Sequence, residues 1–353
     1  MNVSFIIGKN IKDLMEKENL SLRKLSESIG VSHPTLKRYV DGSQPIDSEK
    51  LMKIALYFQK PFDYFFKEEH EHVRFLFRAD KPQKDITNMD IDYLKNAIYT
   101  YKDVIGDSNY QYIPQKYHLN VSDDKKTLFD SVAKIAFEQR RVANIENIIP
   151  DNYFEVIQSI GVNVIVRDFY NDDYFGASSF SNEHGSFIII NDSENISEER
   201  KIFSLIHEYA HLLFHSEQYS DRDYNAFYVS GKTDLNEKIA NKFAGYFLMP
   251  KHFVHLYLES RATIDPIEMK KHFKVSLQTL YVMLHEYKFI TKEKYQSFWK
   301  KVNASGDRTR EPHPLKKIDI QEKNIKLIHK IKDLYFKEEI SANKISEVLG
   351  INT

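Results

Sequence analysis

The chain has 353 residues, 42% of them hydrophobic, which is enough for two or three domains and at least one sizeable core. Its 50 Lys and Arg stand against 51 Asp and Glu, a net charge of −1. No global field therefore points to nucleic acid or membrane, and a DNA-binding surface has to be a local patch. The absence of cysteine excludes disulfides, a thiolate metal site and a cysteine nucleophile, and fits a reducing compartment. The opening residues show no signal-peptide pattern and no run reaches the ~18 apolar residues of a membrane span, so a soluble, cytoplasmic protein with no membrane partner is expected.

Residues 1–66 read as a compact bundle of short helices. Ile7 to Lys17 has helical apolar spacing through Ile11, Leu14 and Met15. Ser21 opens "SLRKLSESIG", which Gly30 closes as a C-cap. Ser32 opens "VSHPTLKRYVDG" with Pro34 in its first turn, and Asp47 opens "DSEKLMKIALYFQ" before Pro61. Helix, glycine turn, short helix is the helix-turn-helix arrangement, whose second helix enters the DNA major groove. His33, Thr35, Lys37 and Arg38 are then the candidate DNA contacts, with Ser43 and Gln44 on backbone phosphate, while Leu36 and Val40 face the bundle. These residues carry ten Lys and Arg against eight Asp and Glu. That surplus is small for a DNA binder, so partner recognition through a like-folded domain is the alternative role. A groove-docking helix normally works in pairs, which makes a homodimer an expectation.

Residues 67–125 turn polar and then helical, and read as a helical connector. A second domain is expected over 126–302. It opens on "KTLFDSVAKIAFEQRR" and continues through three strand-like runs, 162–169, 174–181 and 186–192. Asn195 or Ser197 then caps a helix carrying "SLIHEYAHLLFH" (204–215), and a further helix runs from Asn236 to Leu248 before Pro250. Residues 303–353 read as a linker and a C-terminal helical tail. There "SANKISEVLGI" (341–351) repeats "SLRKLSESIGV" (21–31) at Ser, Lys, Ser, Glu and Gly. It resembles the first half of a second helix-turn-helix, and a packing or dimerisation helix is expected of it. The fold class is thus mainly α with a small β-sheet: an all-α helix-turn-helix bundle, an α+β domain and the tail.

The chemistry concentrates in the helix at 204–215. Residues four apart share a helix face, so His207 and His211 can direct ring nitrogens at one ion. Glu208, beside the first, can face a water on that ion. A divalent ion lowers such a water's pKa to roughly 7, and the glutamate takes its proton as it attacks a carbonyl. H-E-x-x-H therefore encodes two ligands and a general base. The same pair can also be an ordinary feature of an amphipathic helix. Two observations favour the metal. The flanks "KIFSLI" and "LLF" make the helix apolar nearly all round, so it is buried and its polar groups need a partner. A third ligand is also available in Glu237, at the start of "NEKIANKFAGYFLMP", whose small Ala240 and Ala244 allow close helix approach. His215 is the rival, but it lies two turns, about 12 Å, from His207 on an unbroken helix. The longer H-E-x-x-H-x-x-G-x-x-H pattern fails at Phe214.

"HEYAHLLFH" followed by "NEKIANKFAGYFLMP" resembles the ImmA/IrrE family of metallopeptidases, with Glu237, Ala240, Asn241, Phe243, Ala244, Leu248, Met249 and Pro250 in place. The N-terminal segment resembles the Xre/Cro-type helix-turn-helix often fused ahead of it, and "FLFRAD" (75–80) resembles the connector of such fusions. The resemblance implies a zincin-like domain with His207, His211 and Glu237 as metal ligands and Glu208 as base. It implies zinc, with manganese as the other candidate ion. It also implies a regulatory, anti-repressor type of protease whose protein substrate is a Cro-type repressor. The strand-like runs could offer an edge that receives an extended substrate. Two other readings stay open: a transcriptional regulator whose domain senses without cutting, and self-cleavage within "RADKPQKD" (78–85). Tyr209, His184 and His252 are candidates for stabilising an oxyanion.

Overall fold

The computed structural model describes residues 3–18, 20–60, 62–66, 76–79, 88–106, 115–120, 124–169, 172, 174–181, 185–216, 233–304 and 311–350. Its Cα atoms fall into two compact units, Met1–His72 and Val73–Thr353.

The first unit holds helices α1 (Val3–Lys17), α2 (Leu22–Ile29), α3 (His33–Val40) and α4 (Ser48–Tyr57), then a 3-10 turn at Phe62–Phe66. Local chemistry sets the boundaries. Ser21, Ser32 and Asp47 accept the backbone N–H groups of Lys24, Thr35 and Lys50, and so cap α2, α3 and α4. Gly30 ends α2 at φ 72°, a left-handed conformation that any side chain would strain. Leu14, Leu25, Leu36, Leu51, Ile54 and Phe65 meet in one core. The α1–α3 crossing needs Gly8, because a Cβ there would lie 2.5 Å from the carbonyl oxygens of Tyr39 and Val40.

The second unit is built on a four-stranded sheet of order β1-β3-β4-β2, from β1 (Leu76–Ala79), β2 (Asn163–Arg167), β3 (Tyr174–Ser181) and β4 (Gly185–Asn191). β2 runs parallel to β4, and β3 runs antiparallel to both β4 and β1. The three expected strands are present. The fourth comes from "FLFRAD", which the sequence places in a connector. Four residues are too few to show a period, and strand pairing is non-local, so nothing in that stretch announces it.

Both faces of the sheet are covered, which is why β4 reads as an unbroken apolar run. Val164, Val166, Ile188 and Ile190 point to one face, into the core formed with α6 (Lys125–Val142), α7 (Tyr153–Ser159), α8 (Glu198–Phe214) and α9 (Thr233–Leu248). Helices α10 (Lys251–Glu259), α11 (Pro266–Phe273), α12 (Leu277–Glu286) and α13 (Lys292–Ala304) follow, and the first three add to that core. Ile165, Ala177, Phe187 and Ile189 point the other way, onto α5 (Asn88–Ile105), α15 (Ile325–Phe336) and α16 (Ala342–Leu349). The second layer is therefore supplied by segments that read as connector and tail.

The tail is also fastened at the outer edge of β2. In α14 (Ile320–Lys323) Lys323 is fully buried and bonds Asp192 at 2.5 Å and Glu198 at 2.8 Å, while Lys201 bonds Asp192 at 2.8 Å. Next to it Asn324 accepts from the Val166 amide at 2.8 Å and donates to its carbonyl at 2.9 Å. At Val166 one side-chain amide thus stands in for a neighbouring strand. Helix α16 has the capping chemistry of α2, with Ser341 accepting from the Lys344 amide and Gly350 left-handed, yet it packs on α5 in this core. No helix among the described residues is long and apolar enough to cross a membrane.

Candidate metal centre

Helix α8 is buried nearly all round, and its second half carries His207, Glu208 and His211 at 0, 0 and 3% exposure. Ser197 stands at its N-cap, with Glu198 and Glu199 in the first turn, where the helix dipole favours acids. Helix α9 packs against it with Ala240 and Ala244 fully buried, and Glu237, one turn earlier, reaches across. His207 Nε2 and His211 Nε2 stand 3.1 Å apart. Glu237 Oε2 is 3.3 Å from the first and Oε1 is 3.2 Å from the second. Ligand atoms of a tetrahedral zinc, at bond lengths of about 2.0–2.1 Å, stand about 3.3 Å apart. Among the described residues this is the cluster of His, Asp or Glu compact enough for one ion.

The hydrogen bonds around the cluster support the same reading. His207 Nδ1 lies 3.0 Å from Asn241 Oδ1, an acceptor, so Nδ1 carries the proton and Nε2 keeps its lone pair. His211 Nδ1 lies 2.9 Å from His215 Nδ1. Burial pushes the His215 imidazole well below its ordinary value, so it is neutral and can accept from His211. With both Nδ1 protons directed outward, two nitrogen lone pairs and a carboxylate converge. Without an ion, burial acts to raise the Glu237 pKa, but hydrogen bonds from His207 and His211, in the form that carries a proton on Nε2, outweigh it and hold the carboxyl well below the usual carboxylate range. Converging acceptors repel unless a cation lies among them, so the donor set fits a divalent ion.

Glu208, the next residue along α8, is presented toward β3. Ser178 donates its hydroxyl to Glu208 Oε2 at 2.5 Å. Gly176, two residues along the strand, lies against the same side chain: a Cβ there would stand in ordinary contact 3.4 Å from Glu208 Cγ, but a tight 3.0 Å from Ile190 Cδ1 and 3.2 Å from the Ile189 carbonyl oxygen. The sequence reading missed Asn241, His215 and Ser178 as supporting groups. Asn241 was within reach, since it lies four residues after Glu237 and so shares its helix face. Ser178 was not, because only strand pairing brings it to α8. Of the oxyanion candidates, Tyr209 is buried and donates to Gln139 Oε1, and His252 packs edge-on against Phe137. His184 lies outside the described residues, as do 80–85 of the suggested self-cleavage stretch.

In the first unit α3 turns Leu36 and Tyr39 inward, with Val40 half-buried. His33, Lys37, Arg38 and Ser43 are exposed, and Thr35 and Gln44 are half-buried. Thr35 shares a hydrogen bond with the capping Ser32 at 2.8 Å, and Ser43 donates to the Arg38 carbonyl at 3.3 Å.

Residues 157–285 match the family model described as IrrE N-terminal-like domain, and residues 11–65 match the one described as Helix-turn-helix. No curated protein matches the chain. Fold, site and matches together define a regulatory protein that joins a DNA-binding domain to a metallopeptidase-like domain. The two matches fit the architecture of an ImmA/IrrE-type, metallopeptidase-like domain fused behind an Xre/Cro-type helix-turn-helix.

Proposed function

We propose that the chain is a metalloprotease of anti-repressor type, which hydrolyses a peptide bond in a transcriptional repressor. The observation that carries this is the convergence of His207 Nε2, His211 Nε2 and the Glu237 carboxylate beside the buried Glu208. His207, His211 and Glu237 would hold a zinc ion, with manganese the alternative. When bound, the ion supplies Lewis acidity to a carbonyl and to water. Glu208 is the general base. Its carboxylate takes a proton from the attacking water as the new C–O bond forms and then delivers it to the leaving amine as the peptide C–N bond breaks. Ser178 fixes one oxygen of that carboxylate, while Asn241 and His215 hold the two imidazoles in the tautomers that keep Nε2 free. A sensor that only binds metal has no need for Glu208 in this position. In the DNA-binding domain, α3 enters the major groove with His33, Thr35, Lys37 and Arg38 toward bases or phosphates, and Ser43 and Gln44 on the backbone.

The test is a survey of protein N-termini in cells expressing the wild type or Glu208→Gln under inducing conditions. New termini in a helix-turn-helix repressor, present only with the wild type, are the expected result. Matching surveys from the two strains, with zinc still bound to the purified protein, would make the domain a non-cleaving sensor.

A further inference from the structure

β3 is the strand beside the base, and its two edges are filled in different ways. One edge belongs to β4, in register from Gly176 opposite Ile190 to Ser181 opposite Gly185. The other holds β1, antiparallel, with Leu76 opposite Ser178, Phe77 opposite Ala177 and Arg78 opposite Gly176. Ser178 bonds Glu208 and Gly176 lies against its side chain, so the backbone of β1 runs past the part of β3 that faces the base.

The match to the IrrE N-terminal-like domain begins at residue 157. It therefore contains β2, β4 and β3 but not β1, and within it β3 is the outermost strand. A free strand edge beside a catalytic base is what an extended peptide needs. Main-chain pairing straightens the peptide, supplies affinity and requires little of its sequence. At the far edge of the sheet Asn324 occupies the amide and carbonyl of Val166 in β2. The β3 edge is closed by four residues whose register breaks between Arg78 and Ala79.

We propose that Leu76–Ala79 occupies the place of the substrate strand. The β3 edge is then a peptide-binding edge whose resident is the chain's own segment, and a substrate enters as an extended segment antiparallel to β3 once β1 has left. The proposal rests on reading this cleft as a peptidase's. The resident begins four residues after the first unit ends at His72, so it is tethered to the DNA-binding domain.

The test uses the full-length, zinc-loaded Glu208→Gln protein, so that no cleavage removes the probe, and a labelled synthetic peptide of residues 72–83. Of two successive residues in a paired strand only one aims its N–H at the neighbour, so a Leu76→Pro/Phe77→Pro double variant removes one pairing donor in either phase. Where a resident fills a site at least nine-tenths of the time, apparent affinity is lowered about tenfold or more. The double variant is expected to bind the peptide at least about tenfold more tightly than the parent, and the bound peptide to slow amide exchange at 176–178. Equal affinity in a variant that keeps its circular dichroism and zinc would overturn the proposal.

A second pair guards against misfolding. Phe77 and Ala177 are direct cross-strand partners and the chain has no other cysteine, so Phe77→Cys with Ala177→Cys locks the strand in place by a disulfide. The oxidised form is expected to lose peptide binding and dithiothreitol to restore it; equal binding in both forms would overturn the proposal. Neither readout depends on turnover, so a chain that proves unable to cut leaves this test intact.

Discussion

His207 binds through Nε2 only if something accepts the proton on Nδ1, and Asn241 Oδ1 at 3.0 Å is that group. Groups that orient a ligating imidazole are worth about 10–100-fold in metal affinity. Asn241→Ala is expected to weaken zinc binding by about that factor, whereas Asn241→Asp, which keeps an acceptor, retains most of it. Competition with a chromophoric chelator measures both. Equal loss in the two variants would mean that the residue acts by packing. At this scale the sequence was informative where the chemistry is local: His207, Glu208 and His211 lie within five residues, and helical spacing puts both rings on one face. Glu237 needed the neighbouring helix, and Ser178 needed the sheet. His215 was weighed as a ligand and lies instead at the end of α8, bonded to the back of His211.

At the scale of elements, α14 shows how a segment read as a tail is part of the core. Lys323 brings one charge to Asp192 and Glu198, both buried, while Lys201 shares Asp192. Removing one partner of a buried charge set leaves the others uncompensated, at a cost of about 3–5 kcal/mol. Lys323→Met is expected to destabilise the second unit by that amount in urea unfolding. Adding Glu198→Gln should recover part of it, because Asp192 keeps Lys201. A loss within about 0.5 kcal/mol, typical of a surface change, would show that the tail is not fastened this way. The pair "SLRKLSESIG" and "SANKISEVLG" makes the same point about legibility. Both segments fold as capped helices with a left-handed glycine, as their serines and glycines dictate. One turns its buried residues to α3 and α4 and the other to α5, a choice made by the surrounding apolar surface.

For the whole molecule, two compact units, with one candidate metal centre among the described residues, imply separate responses to metal. A ligand at about 100 times its Kd stabilises the unit that binds it by about 2.7 kcal/mol. Calorimetry of the metal-free chain titrated with zinc is expected to raise the melting of the Val73–Thr353 unit and leave that of the helix-turn-helix unit in place. A parallel rise in both would mean that they unfold together, and no rise would remove the metal centre. The lesson about the whole fold lies in β1, α5 and α16. Periodicity located most helices and three strands, but it carried no sign that "LFRA" would close a sheet beside the base, or that connector and tail would cover one face of it.

Caps, helical spacing and apolar runs act over a few residues, and so the residues alone were enough to specify the helix-turn-helix, the strands β2 to β4 and the His-Glu-His face of α8. Which groups orient those ligands, which segment fills the edge of β3 and what covers the back of the sheet were settled only by folding. Each depends on surfaces far apart in the chain, where hydrogen bonds and buried apolar area are available solely once the partners meet.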